Sequence, residues 1–156
     1  MINPRWSVFW SASVLLCTLA LGSAHGRAQE RRAVNLSDNP QNLPFSDGIM
    51  AGDTLYIAGQ QGTDSSGKLK DGISDQTEAT LEHMKQVVTK AGFAMKDVVS
   101  VNVYLSDIAD FAAMNKVYTT FFPSPKPART TIQAAGLVNG AKVEISAIAV
   151  RQGGSR

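Results

Sequence analysis

Apolar residues recur along this 156-residue chain with two periods, one near two and one near 3.6, and the switches between them mark out its elements. Between Gly48 and Gln61 two short apolar runs flank Gly52-Asp53, a dipeptide suited to a tight turn, and the second run, Thr54 to Ala58, is rich in strand formers. This predicts an opening β-hairpin. From Gly62 to Gly72 glycines, serines and charges follow without period and predict a loop. Ser74 or Asp75 then caps a helix, with Glu78 three positions after Asp75 as a capping box requires. Leu81, Met84, Val87, Val88 and Ala91 repeat at helical spacing until Gly92 ends the run.

Asp97 to Leu105 alternates polar and apolar residues over part of its length and is dense in β-branched ones, so it is a strand with a buried face. A second helix starts at Asp107 or Asp110 and carries Phe111, Met114, Val117, Tyr118 and Phe121, with Pro123 and Pro125 preventing its extension. Two more strands, Thr130 to Ala135 and Val143 to Arg151, are joined by a turn from Gly136 to Ala141 that contains Asn139-Gly140. The order ββαβαββ implies an α+β two-layer sandwich with both helices on one face of a single sheet. Val, Ile and Ala in the last three strands make the other sheet face apolar too, which points to an oligomer.

Ahead of this domain, Arg5 is followed by an uncharged stretch from Trp6 to Ala24 whose apolar centre is Val14 to Leu21. That pattern predicts a secretory signal peptide over residues 1–28, cleaved after Ala24 or Ala28, and an exported protein, periplasmic or secreted. The apolar centre is short against the ~20 residues a spanning helix needs, so no membrane contact is expected after cleavage. Cleavage removes the single cysteine, Cys17, and both tryptophans, which excludes disulfides, thiol chemistry and cysteine metal sites from the mature chain. A cut after Ala28 also takes Arg5 and Arg27 from the 15 basic residues, leaving 13 basic against 13 acidic. A neutral domain lacks the positive footprint that nucleic-acid affinity requires. Residues 29–42 are polar, carry Pro40 and read as an ordered or frayed tail; residues 153–156 read as a loose end. Between them, residues 43–152 form one domain.

Within that domain one arginine stands apart. Arg129 is the only arginine between Arg32 and Arg151, and Glu144 is the only acidic residue after Asp110. A chain that otherwise relies on lysine and keeps one arginine at the mouth of a strand has use for a planar fork, as in bidentate recognition of a carboxylate. Strand alternation puts Arg129, Thr131 and Gln133 on one side, and Glu144 alternates in the same way with Val143 and Ile145. If the last two strands formed a simple hairpin, Arg129 would pair near Ile148 and Glu144 near Gln133, a separation of roughly 13 Å. Direct contact is not implied; a ligand, a water or a cleft completed by another subunit fits better. His83 lies among Glu82 and Lys85 and is expected to be solvated, and without a second histidine beside it no metal site is expected. Gly62 to Leu69 nearly spells a phosphate loop, but Leu69 replaces the hydroxyl residue that magnesium binding needs.

Pro127-Ala128-Arg129-Thr130-Thr131-Ile132, the following Val143-Glu144-Ile145-Ser146-Ala147-Ile148-Ala149-Val150, Gly59-Gln60 after a strand and Asn115-Lys116-Val117-Tyr118 resemble the RidA/YjgF family of reactive-intermediate deaminases, over about Leu43 to Arg151. The resemblance implies a chorismate-mutase-like fold and a homotrimer with sheets lining a central barrel and sites in clefts between subunits. It further implies that Arg129 holds the carboxylate of a small 2-imino acid or its enamine tautomer and that Glu144 positions water, giving a 2-keto acid and ammonia without a cofactor. Phe45, Gly59, Asn115 and Thr131 match further substrate-binding positions. The chain departs from the family at Phe45, where a tyrosine is usual, and at Thr131, where a cysteine is usual. A non-catalytic carboxylate binder or chaperone-like trimer of the same fold is the alternative, and ribonuclease activity is a third reading that the neutral charge disfavours.

Overall fold

A computed structural model describes residues 30–37 and 43–151; the expected signal peptide and the loose C-terminal end lie outside the described residues. Six strands form one sheet: β1 (Arg31–Val34), β2 (Gly48–Ala51), β3 (Thr54–Gln61), β4 (Val98–Leu105), β5 (Ala128–Gln133) and β6 (Val143–Val150). Two helices, α1 (Gly72–Lys90) and α2 (Phe111–Phe121), interrupt the strand sequence. The sheet order is β1-β2-β3-β6-β4-β5.

Each element follows from its residues. Gly52, at φ 57°, turns the β2–β3 hairpin, a backbone region open to glycine at little cost. The apolar stripe on α1 buries Leu81, Met84, Val87 and Val88 completely, and Gly92, at φ 81°, ends the helix as expected. The start of α1 differs from the expected capping box at Ser74 or Asp75: the N-cap position falls three or four residues earlier, at Asp71, whose side chain makes no cap. Gln76 anchors that end instead. Its Nε2 donates to the Lys70 carbonyl at 2.8 Å and its Oε1 accepts from the Lys142 amide at 2.8 Å, tying helix, loop and the approach to β6 together. Such a long-range tie leaves no trace in local spacing.

Helix-side positions of the strands, among them Leu55, Ile57, Val101, Val103, Val143, Ile145 and Ala147, pack with α1 and with Met114 and Tyr118 of α2 into one core. Each large side chain buried there contributes on the order of 1.5–3 kcal/mol. The opposite sheet face is open in the single chain: Tyr56 is 51 % exposed, Ile132 48 % and Val150 37 %, and Tyr56 lies beside Ile148 in the ladder.

Two expectations about connectivity change. Part of the N-terminal tail is a strand, β1, which pairs antiparallel with β2 from Arg31 opposite Ala51 to Val34 opposite Gly48. Asn35 Oδ1 and Asp47 cross-link its end, with the Leu36 amide donating to Asp47 Oδ2 at 2.7 Å. Polarity hid this strand because it sits at an edge and buries only Val34. The last two strands are not a hairpin either: β5 runs parallel to β4, and β4 separates it from β6. Helix α2 provides the long crossover that a parallel pair demands, leaving β5 on the sheet edge. The Asn139-Gly140 turn does form, with both residues at positive φ, but it joins strands that are not neighbours.

Candidate functional site

Arg129 sits on β5 opposite Val101, and Val101 sits opposite Ala147; both neighbours are buried on the helix side, so Arg129 shares the face covered by α2. Its guanidinium lies over the Tyr118 ring at 4.4 Å, with the Phe111 ring at 5.6 Å, and Nη1 donates to Asn115 Oδ1 at 2.8 Å. All three partners come from one face of α2, which the three- and four-residue spacing of Phe111, Asn115 and Tyr118 creates. Cation–π contacts of this kind contribute about 0.5–2 kcal/mol each. They hold the fork without neutralising it, since no carboxylate among the described residues pairs with Arg129. The surrounding cleft, about 350 Å³, is lined by Asn115, Tyr118, Thr119, Lys126, Pro127 and Arg129. The exposed Lys126 reaches back to the C-terminal end of α2, donating to the carbonyls of Thr119 and Phe122. Thr131 follows two positions after Arg129 on the same strand face, where its hydroxyl is buried without a hydrogen-bond partner.

Glu144 lies elsewhere. On β6 it alternates with the fully buried Val143 and Ile145, so it points to the opposite sheet face, beside Tyr104 of β4 and Gln61 of β3. Gln61 Nε2 donates to Glu144 Oε2 at 2.9 Å and to the Val138 carbonyl at 3.2 Å. A break in the β3–β6 register between Ile57 and Gln60 opens the ladder at this point. Gly59 occupies the break for a steric reason: a Cβ there would stand 2.2 Å from Glu144 Oε1. The wider cleft, about 780 Å³, is lined by Phe45, Gly59, Gln61, His83, Val138, Asn139 and Glu144 among others.

The six residues singled out in the sequence therefore form two groups. Arg129 and Asn115 share one cleft, with Thr131 two positions further along the same face of β5, while Glu144, Gly59 and Phe45 share the other cleft. Counting along the ladder, Arg129 and Glu144 are offset by three residues and two strand spacings, roughly 10 Å in each direction. The separation inferred for a hairpin survives in size, but its geometry is different, because the two side chains point to opposite faces.

Sequence reasoning missed Gln61 and misjudged His83. The imidazole is not simply solvated: its Nδ1 lies 3.0 Å from the Gln61 carbonyl, and because a carbonyl can only accept, Nδ1 carries the proton. His83 thus steadies the backbone of the residue whose side chain holds Glu144. Its place at i+2 from Leu81 on an amphipathic helix gives no hint of this; the partner comes from a strand 22 residues earlier. Among the described residues no group of three or more His, Cys, Asp or Glu side chains is placed to hold a metal ion.

The model of one known family, endoribonuclease L-PSP, matches residues 37–151. The chain belongs to the endoribonuclease L-PSP family. Members of that family resemble it along most of their length. It is 42 % identical over 111 residues to a RutC family protein of Pyrococcus horikoshii, covering 70 % of this chain and 88 % of the relative. It is 36 % identical over 124 residues to the human 2-iminobutanoate/2-iminopropanoate deaminase, covering 78 % of this chain and 90 % of that enzyme. Among solved structures, RidA of an Antarctic Psychrobacter superposes with a TM-score of 0.69 at 32 % identity, covering 80 % of this chain and 99 % of that one. Family membership, the mixed sheet and the two helices on one face agree with the resemblance seen in the sequence.

Proposed function

We propose that the protein hydrolyses small 2-imino acids and their enamine tautomers to 2-keto acids and ammonia, in sites assembled between two copies of the chain. The opposed placement of Arg129 and Glu144 carries this reading: each cleft holds half of the chemistry, and neither half can act on a molecule of a few ångströms alone. The open sheet face with Tyr56, Ile148 and Val150 supplies the apolar surface on which copies associate, in a trimer like that expected from the sequence. In the joined site Arg129 of one copy binds the substrate carboxylate and Glu144 of its neighbour accepts a proton from the attacking water.

The chemistry asks little of the protein. Water adds to C2, its proton passing to Glu144, and the C=N electron pair moves to nitrogen; the carbinolamine then collapses to C=O as the C–N bond breaks and protonated nitrogen leaves as ammonia. Imines hydrolyse unaided, so positioning and one proton-transfer group, a role typically worth ~10² to 10⁴ in rate, suffice. Phe45 in place of a tyrosine gives the Glu144 cleft an apolar wall, half exposed, and takes no part in proton transfer. No cofactor enters any step.

Mixing two inactive variants tests the shared site. Arg129→Ala and Glu144→Ala subunits are each expected to be inactive alone, yet after unfolding and co-refolding in equal amounts about a quarter of the sites in a cyclic oligomer join an intact Arg129 to an intact Glu144. Recovery of about a quarter of wild-type activity supports the assembly, whereas a mixture as inactive as its parts shows that both groups act within one chain.

The proposal extends to location. With residues 1–28 as a leader, the enzyme works outside the cytoplasm on imines released there by amino-acid oxidation. N-terminal sequencing of protein from the exported fraction is expected to start at residue 25 or 29; a chain beginning at Met1 and confined to the cytoplasm overturns this part.

A further inference from the structure

Glu144 is held by one of its two oxygens. Oε2 accepts from Gln61 Nε2 at 2.9 Å, whereas no donor among the described residues meets Oε1, which lies against Gly59. Gln61 stands opposite Glu144 in the β3–β6 ladder, just past the break in register, so the two side chains leave the sheet on the same face. The second hydrogen of Nε2 goes to the Val138 carbonyl at 3.2 Å, in the turn that precedes β6. That carbonyl only accepts, so the amide nitrogen and not its oxygen faces it, and both hydrogens of that nitrogen are spent. The backbone below is fixed from a third direction, since His83 Nδ1 on α1 donates to the Gln61 carbonyl at 3.0 Å. A strand, a turn and a helix converge on one residue. The fold does not need this tie, because β3 and β6 are already joined by their backbone ladder.

We propose that Gln61 is a positioning residue for proton transfer: its amide clamps Oε2 of Glu144 and leaves Oε1, beside Gly59, as the oxygen that takes the proton from the attacking water. The inference rests on the reading of Glu144 as the proton acceptor. A glutamate side chain is long and flexible, and a group that accepts a proton has to stand within hydrogen-bond reach of it in a held geometry. Gly59 supplies the room and Gln61 the hold. His83 serves the same end one step further back, by fixing the backbone from which the amide reaches. Arg129 binds the substrate carboxylate from the other cleft, so the clamp acts on the chemical step and leaves binding alone.

Gln61→Met keeps the length of the side chain and removes both donors. In the intact oligomer it is expected to lower kcat for a 2-imino acid about tenfold with KM within about twofold, and to leave the binding of 2-oxobutanoate, measured by calorimetry, unchanged. Gln61→Lys restores a donor at similar reach and is expected to recover most of the loss. Added to Gly59→Ala, in which the carboxylate has already left the amide, Gln61→Met is expected to lower kcat no further. A further loss of similar size there overturns the proposal, because Gln61 then acts other than through Glu144. A melting temperature several degrees lower, with kcat and KM both impaired and no recovery in Gln61→Lys, overturns it as well by marking a structural tie. Unchanged kcat in Gln61→Met overturns it directly; if Glu144→Ala is inactive in the same assay, the reading of Glu144 stands and only the clamp falls. A Glu144→Ala enzyme with wild-type kcat removes that reading, and the clamp with it.

Discussion

Replacing Arg129 with alanine is expected to lower kcat/KM for a 2-imino acid by about 10²- to 10³-fold while leaving the fold intact. The size follows from the role proposed for the guanidinium: a charge-assisted, bidentate contact to a desolvated carboxylate is worth on the order of 2–5 kcal/mol when one partner is removed, and ~1.4 kcal/mol is a factor of ten. The fold survives because Arg129 is half-buried on an edge strand, and its hydrogen bond to Asn115 and its rings at Tyr118 and Phe111 are local to α2. Generating the imine in situ with an amino-acid oxidase and following its decay gives the rate; circular dichroism gives the fold. Arg129→Lys keeps the charge but loses the fork, so it is expected to recover only a small part. Wild-type kinetics in Arg129→Ala would mean that the carboxylate is held elsewhere.

Gly59→Ala is expected to cut kcat by about 10²-fold without touching any group that reacts. Its Cβ would stand 2.2 Å from Glu144 Oε1 and 2.8 Å from the carboxylate carbon, so the carboxylate must swing away. It leaves Gln61 as it does so. Displacing a proton-transfer group by ~1 Å costs rate on that scale. Stability is expected to change little, because the clash is with the end of a flexible side chain. Gly62→Ala makes the contrast: its Cβ would meet the Gln76 backbone carbonyl at 2.1 Å, and backbone cannot yield, so that variant is expected to lose stability first. Thermal melting and steady-state kinetics on the pair distinguish the two. A Gly59→Ala enzyme with unaltered kcat shows that the present position of Glu144 is not the working one.

Much of the architecture was readable before any coordinates. The hairpin about Gly52, the buried stripe of α1 and its stop at Gly92, the β-branched strand β4 and the ending of α2 before Pro123 all rest on short-range physics: turn conformations, helical periodicity and the missing amide of proline. Arg129 and Glu144 stood out by isolation, and Asn115 and Gly59 by their place in the family pattern. What stayed hidden depends on residues far apart in the chain. Gln76 reaches Lys142 across 66 positions, Gln61 reaches Glu144 across 83, and His83 meets the carbonyl of Gln61 from another element. Polar side chains with such partners look like any surface residue when only their neighbours in sequence are known.

The chain's own order of residues was enough to establish a two-layer α+β domain and to single out Arg129 and Glu144 by their isolation. Only the tertiary structure decided that these two face opposite sides of the sheet. The reason lies in strand pairing: side chains alternate with a period of two, so which face a residue takes depends on its register with a neighbour, and α2 delivers β5 parallel to β4 on the sheet edge instead of back against β6. That one choice of partner separates Arg129 from Glu144 and stacks Arg129 on Tyr118.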